Sequence, residues 1–383
     1  MRPRRALLIA LTALALAGSM VPAGARPAPA LPTPGGPTTG GFATDNVEHI
    51  RHIPLSTNGV GGRLIGKFFY TNDQNKIMIF DVSKPEDPAL TGVLPMPQEW
   101  QFSREDIDGN GKILVVPNTV TGAVYIVDVE DKTNPQIIGT VEDAAQHTVS
   151  CVLDCRYAYG SDGNIIDIRD PAAPKLLKEK WGDGPGVVTD GGHDVEEIRP
   201  GVVLTATQPI QLLDASNPAK PRLLALGANP DGRFIHTPRW PQAGRDRFLL
   251  MAGETTFNVR CSETSAAFMT WDASKWKRSK SFTMIDEYRM SNGVPTDGNV
   301  PAGRNCSSHW HEAHPDFRNG GLVAAAFFEF GTRFIDVSSK GKIKEVGYFL
   351  PYAGSTSAVY WVTDEIAYAV DYHRGIDILR FKR

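Results

Sequence analysis

Along most of the chain, short apolar runs end in an aspartate and give way to a turn punctuated by proline. The phrase reads Ile77-Met78-Ile79-Phe80-Asp81-Val82 with Pro85 and Pro88, then Val124-Tyr125-Ile126-Val127-Asp128-Val129 with Pro135. It returns at Ile165-Ile166-Asp167-Ile168 with Pro171 and Pro174, and at Ile210-Gln211-Leu212-Leu213-Asp214 with Pro218 and Pro221. Weaker copies follow at Phe268-Met269-Thr270-Trp271-Asp272, Arg333-Phe334-Ile335-Asp336-Val337 and Gly375-Ile376-Asp377-Ile378-Leu379. Runs this short, rich in β-branched and aromatic residues and bounded by turn formers, predict strands. An aspartate at a strand end can accept backbone N–H bonds from the following turn, so the recurring carboxylates are expected to be structural.

The gaps between successive aspartates are 47, 39, 47, 58, 64 and 41 residues. A period of about 40 to 50 residues built from short strands predicts the blades of a propeller, each a four-stranded antiparallel sheet. In the third copy the four strands are expected at 147–153, 157–161, 164–168 and 175–178. The seventh copy ends at Arg383 before its outer strand can form. The run from Val47 to Leu55 has the character of the outer strand at 89–95 and is expected to complete that blade. The fold class expected is therefore all-β, a seven-bladed β-propeller closed by pairing of an N-terminal strand with the last blade, which removes open sheet edges. A free N-terminal strand beside an open ring is the alternative. The strand-plus-aspartate phrase resembles the LVIVD-repeat proteins, a bacterial group of β-propellers. The resemblance covers 47–383; it implies the fold and carries no settled activity.

Arg2, Arg4 and Arg5, an apolar run from Ala6 to Met20 and then Ala23-Gly24-Ala25 form the three parts of a secretory signal peptide over residues 1–25. The run is short of the roughly 20 residues a membrane span needs, so the mature chain is expected outside the cell or in the periplasm, without a membrane span. Residues 26–44, dominated by Pro, Gly, Ala and Thr, read as a disordered linker. Residues 45–383 read as the propeller, with an insertion at about 254–306. A net charge of -3 with both signs interspersed argues against nucleic acid as a partner. A monomer is expected. In an oxidising compartment the four cysteines are expected to pair as Cys151 with Cys155 across one hairpin and Cys261 with Cys306 across the insertion.

Aligning the blades places a histidine at the start of the innermost strand in four of them: His147, His193, His236 and His311. Innermost strands line a propeller's channel, so these imidazoles are expected to converge on the axis as ligands for a transition metal (Cu, Zn or Fe) or a small polar molecule. Asp194, Glu196, Glu254 and Glu312 are close enough to orient them or add a ligand. His309 and His314 join the list through His309-Trp310-His311-Glu312-Ala313-His314, which looks like the ligand run of metallo-β-lactamase-type hydrolases but has Ala313 where that family has Asp. Arg333 and Arg374, beside Glu329 and Asp371, could hold an anionic group; pairs tying blades together are the favoured alternative.

Two near-motifs fail on chemistry. The stretch from Asp106 to Ile113 begins like a calcium loop but has Pro117 where a bidentate Glu is required, and reads as a turn. The stretch from Gly61 to Lys67 begins like a phosphate loop but is followed by Phe68. Two functions remain. One is a channel site for a metal or small polar ligand, and if the protein is an enzyme, metal-dependent oxidoreductase or hydrolase chemistry. The other is a non-catalytic scaffold that binds protein or cell-surface glycan through its loops.

Overall fold

Each aspartate-ending strand pairs antiparallel with the strands before and after it, and seven such sheets follow one another along the chain. The computed structural model describes residues 40–383 except 56–60, 74, 98–106, 145–146, 189–191, 228–233, 256–264 and 291–304. The expected leader at 1–25 and most of the linker lie outside the described residues. All described residues belong to one compact unit. Among them no helix is long and apolar enough to cross a membrane.

The innermost strands are Gly62–Ile65, Asp108–Gly109, Val149–Val152, Val195–Arg199, Ile235–Arg239, His311–Ala313 and Thr356–Trp361. Apolar layers fill the spaces between neighbouring blades. Phe69, Met78 and Phe80 of the first blade pack with Tyr368, Ile376 and Ile378 of the seventh, so the ring is closed by the same packing that joins consecutive blades. Val47–Pro54 pairs antiparallel with Gly375–Phe381 and supplies the outer strand of the last blade, as expected.

The carboxylates hold turns. Oδ1 of Asp81, Asp128, Asp167, Asp214 and Asp272 each accepts the N–H two residues on, at 2.8 to 3.1 Å. These turns also dock blades. A Cβ on Gly92 would lie 2.0 Å from the Lys132 carbonyl oxygen, and one on Gly139 2.3 Å from that of Pro171, each in the turn of the next blade. Gly139→Val is therefore expected to destabilise the ring by about 1–3 kcal/mol through overpacking, with chemical denaturation as the measurement; a change under half that range would show that the turn gives way.

Three expectations change. Residues 41–43 are not linker but strand: Gly41–Ala43 adds a fifth strand to the sixth blade. Phe42 packs edge-on against Tyr352 at 5.1 Å, burial that the Pro- and Gly-rich composition obscured. The stretch at 254–306 is not one insertion, because Phe268–Asp272 and Thr283–Tyr288 inside it are the two outer strands of the fifth blade. Asp377 does not end its strand; it lies within Gly375–Phe381, where Arg380 is opposite Ile366 as Asp81 is opposite Phe68. Its side chain is consequently buried between strands and holds no turn.

The Cys151–Cys155 disulfide closes the hairpin turn between Val149–Val152 and Tyr157–Gly160. Cys306 is buried, and its expected partner Cys261 lies outside the described residues. The calcium-like stretch is a turn, with Asn110 Oδ1 accepting the N–H groups of Lys112 and Ile113.

Candidate functional site

His147, His193 and His309 each lie two residues before the first strand of their blades, and His236 is the second residue of its own. The rings form a row, each beside the next. Centroids are 4.8 Å apart for His147 and His193, 3.7 Å for His193 and His236, and 3.9 Å for His236 and His309. Glu254, at the end of the second strand of the fifth blade, joins them: His193, His236 and Glu254 each offer a ligand atom, and these atoms lie within 4.8 Å of one another.

Each ring is oriented through Nδ1. That of His193 faces Asp194 Oδ1 at 2.8 Å, that of His236 the Thr237 hydroxyl at 2.7 Å and that of His309 the Ser357 carbonyl at 2.6 Å. His147 is more loosely held, 3.4 Å from the Thr119 hydroxyl. With Nδ1 engaged, Nε2 is the nitrogen each ring could offer to a ligand, an arrangement also found in metal-binding imidazoles. Burial alone would raise the Asp194 carboxyl, but the bond from His193 and the nearby His236 and Arg239 hold it below the usual carboxylate range. Its Oδ2 is buried with no hydrogen-bond partner among the described residues, an acceptor that normally finds water or a cation.

His311 is not in the row. It packs edge-on against Phe268 at 5.2 Å, and burial, helped by Arg239, drives its pKa well below the usual imidazole value. His309 takes the place expected for it. His314 is also elsewhere: Nδ1 contacts Asp316, Nε2 lies 2.7 Å from the Asp364 carbonyl, and the ring meets Trp361 at 4.8 Å. Arg333 is buried over the Tyr348 ring at 4.8 Å and 3.4 Å from Glu345, and Glu345 also accepts the Tyr288 hydroxyl of the neighbouring blade. Arg374 donates to both oxygens of Asp377 at 2.8 and 3.0 Å. Each ion pair lies within one blade, Arg333 with Glu345 in the sixth and Arg374 with Asp377 in the seventh, not between blades.

Further along the innermost strands the lining is charged. Arg63, Glu196, Arg239 and Glu312, with Tyr360 and Trp361, line a cavity of about 280 Å³. Arg239 contacts Glu196, lies 3.6 Å from Glu312 and covers the Trp310 ring at 5.0 Å. Arg63 is 3.1 Å from Asp108. Burial, reinforced by Glu196, raises the Glu312 carboxyl. Sequence reasoning missed Arg239, Arg63, Thr237, Thr119 and Ser357; blade alignment could have found the first two, since both lie on innermost strands.

Residues 63–94 match the family model described as the LVIVD repeat. The chain carries an LVIVD repeat within a seven-bladed propeller. No curated protein matches this LVIVD-repeat propeller in sequence. Among solved structures it is similar to the Myceliophteria thermophila Cps50 (Swd1) β-propeller domain, at 13% identity and a TM-score of 0.58 over 88% of this chain and 99% of that one. It is also similar to Chaetomium thermophilum Raptor, at 12% identity and a TM-score of 0.58 over 90% of this chain, which spans 30% of Raptor. At such identities the likeness speaks to the fold alone.

Proposed function

We propose that the axial histidine row is the functional centre of this LVIVD-repeat propeller and that it binds a transition metal ion through His193, His236 and Glu254. The observation that carries the reading is the approach of these three ligand atoms to within 4.8 Å. Two neutral imidazoles and one carboxylate are a donor set suited to Zn or non-haem Fe, and Cu accepts it too. Such a set leaves coordination positions for water or a small polar ligand, and a bound ion would supply Lewis-acid or redox chemistry there. The chain's own part is to hold the rings: Asp194 and Thr237 fix two imidazoles, and His147 and His309 flank them. The leader and the paired cysteines support a site that works outside the cytoplasm. The scaffold reading leaned on loops largely outside the described residues, at 256–264 and 291–304.

The test is metal content of tag-free mature protein by mass spectrometry, beside a His193→Ala/His236→Ala double variant and a Glu254→Gln variant. A near-stoichiometric metal that the double variant loses while keeping its circular dichroism is the expected result. A metal-free wild type that does not reload with Zn, Cu or Fe would sink the proposal.

A further inference from the structure

Connections between strands alternate between the two faces of a propeller. The histidine row and Glu254 belong to the face where the innermost strands begin. On the opposite face, the loops after the first and third strands of the fifth blade border a cleft of about 960 Å³. Six cations line it: Arg199, Arg245, Arg247, Lys275, Lys277 and Arg278. Its carboxylate, Asp246, is buried and committed, accepting the N–H groups of Phe248 at 2.8 Å and Asn319 at 2.6 Å.

Three of the cations make contacts that serve the fold, Arg245 among them through Nε, which donates to the Gln242 carbonyl at 3.1 Å. Arg199 donates to the Ala243 and Gly244 carbonyls at 3.1 and 3.4 Å, and Arg247 lies 3.8 Å from Asp272. Arg245, Lys275, Lys277 and Arg278 make no ion pair among the described residues, and all four are exposed. Asp272, beside the cleft, feels the charges of Arg247 and Lys275, and the six cations still outnumber the nearby carboxylates, an excess unexpected on a protein of net charge -3. Five of the six lie in two short segments, 245–247 and 275–278, and the fold brings these together with Arg199.

An aromatic platform lies among them. Trp276 is half-buried, with Lys277 5.9 Å from its ring. It is backed edge-on at 5.9 Å by Trp240, which is buried and donates Nε1–H to the Asp246 carbonyl at 2.8 Å. Ala243 and Gly244 also line the cleft, and the backbone from Gln242 to Gly244 has φ of 57°, 53° and 72°. Two successive non-glycine residues in that region are a strained backbone, of the kind held at binding sites.

We infer that this cleft binds an anionic oligosaccharide, with its acidic groups on Arg245, Lys275, Lys277 and Arg278 and a sugar ring stacked on Trp276. Forked guanidinium and ammonium groups suit carboxylate or sulfate, and the volume suits a ligand of a few sugar units. Nucleic acid is disfavoured, because single-strand binding relies on a series of stacking platforms along a basic track, and here a single half-buried indole lines the cleft. The inference is independent of the metal reading, since the site is on the other face.

The mature protein would be titrated by calorimetry with an oligogalacturonate, a heparin-derived tetrasaccharide, neutral maltotetraose and a single-stranded oligonucleotide of matching charge. Binding of at least one acidic sugar is expected, absent for the neutral one and abolished near 1 M salt, where the Debye length falls to about 3 Å. Which acidic sugar binds distinguishes carboxylate from sulfate. Lys275→Ser/Lys277→Ser/Arg278→Ser is expected to weaken binding about tenfold or more, on the scale of several exposed charge contacts, without lowering Tm. Trp276→Ala should weaken it too, and Lys84→Ser, on the first blade, should not. No binding of either acidic sugar, full affinity in the triple variant, or an equal affinity for the oligonucleotide would each overturn the inference.

Discussion

Replacing Asp377 with alanine is expected to lower folding stability by about 3–5 kcal/mol near neutral pH, the scale for removing one partner of a buried ion pair. Its carboxylate is 1% exposed and gathers Arg374, His49 and His52, with both imidazoles 2.9 Å from Oδ1. The two histidines belong to the closing strand and the arginine to the last blade, so one side chain joins the beginning of the ring to its end. Burial pushes the Asp377 carboxyl up, but the bonds from His49 and His52 and the Arg374 charge outweigh it and hold the group far below the usual range. A depressed pKa contributes stability that is present above the unfolded value, about 3.9, and lost as pH falls through the folded value. The gap between wild type and variant should thus be full at neutral pH and close only in strong acid. Guanidinium denaturation across that range measures it, with Asp377→Asn expected to fall between the two. A loss below about 1 kcal/mol at neutral pH, ordinary for a surface change, would mean that closure rests on backbone pairing and apolar packing alone.

Arg239→Ala is expected to cost about 2–4 kcal/mol, somewhat less than a fully enclosed pair, because Glu196 and Glu312 open partly onto the axial cavity where water screens them. The substitution leaves two carboxylates facing each other and uncovers Trp310. Its pH dependence runs opposite to that of Asp377. The Glu312 pKa is already raised by burial, and without Arg239 it should rise further. A raised carboxyl contributes stability present below its unfolded pKa and lost as pH rises through the folded one. The variant should therefore be least impaired in mild acid and most impaired at alkaline pH, and Glu312→Gln in the same chain should restore part of the loss. If the double variant gains nothing, carboxylate repulsion is not the cause and the lost packing on Trp310 is.

The histidine row was partly legible before folding. His147, His193 and His236 were found by blade alignment because a repeat places equivalent residues in equivalent positions. His309 and His311 are two residues apart at the start of one strand, and sequence gives no register to tell them apart. Two residues further in, the side chain meets Phe268 and not the axis. His49 and His52 carried no signal at all: their partner Asp377 is more than three hundred positions away, at separations of 328 and 325 residues.

The sequence by itself determined the seven-fold repetition, the strand character of each unit, the turn-holding role of its aspartates and the need for the N-terminal strand in the last blade. These follow from local periodicity and turn chemistry, which act over a few residues, and from the edge that a short final blade would expose. Only the tertiary structure decided which histidines meet, that Arg239 stands between two carboxylates, that Asp377 is a buried tie and not a turn, and that Arg199 and the basic segments at 245–247 and 275–278 share one cleft. Those depend on strand register and on contacts between blades distant in sequence, and a shift of one residue in register exchanges the faces on which side chains stand.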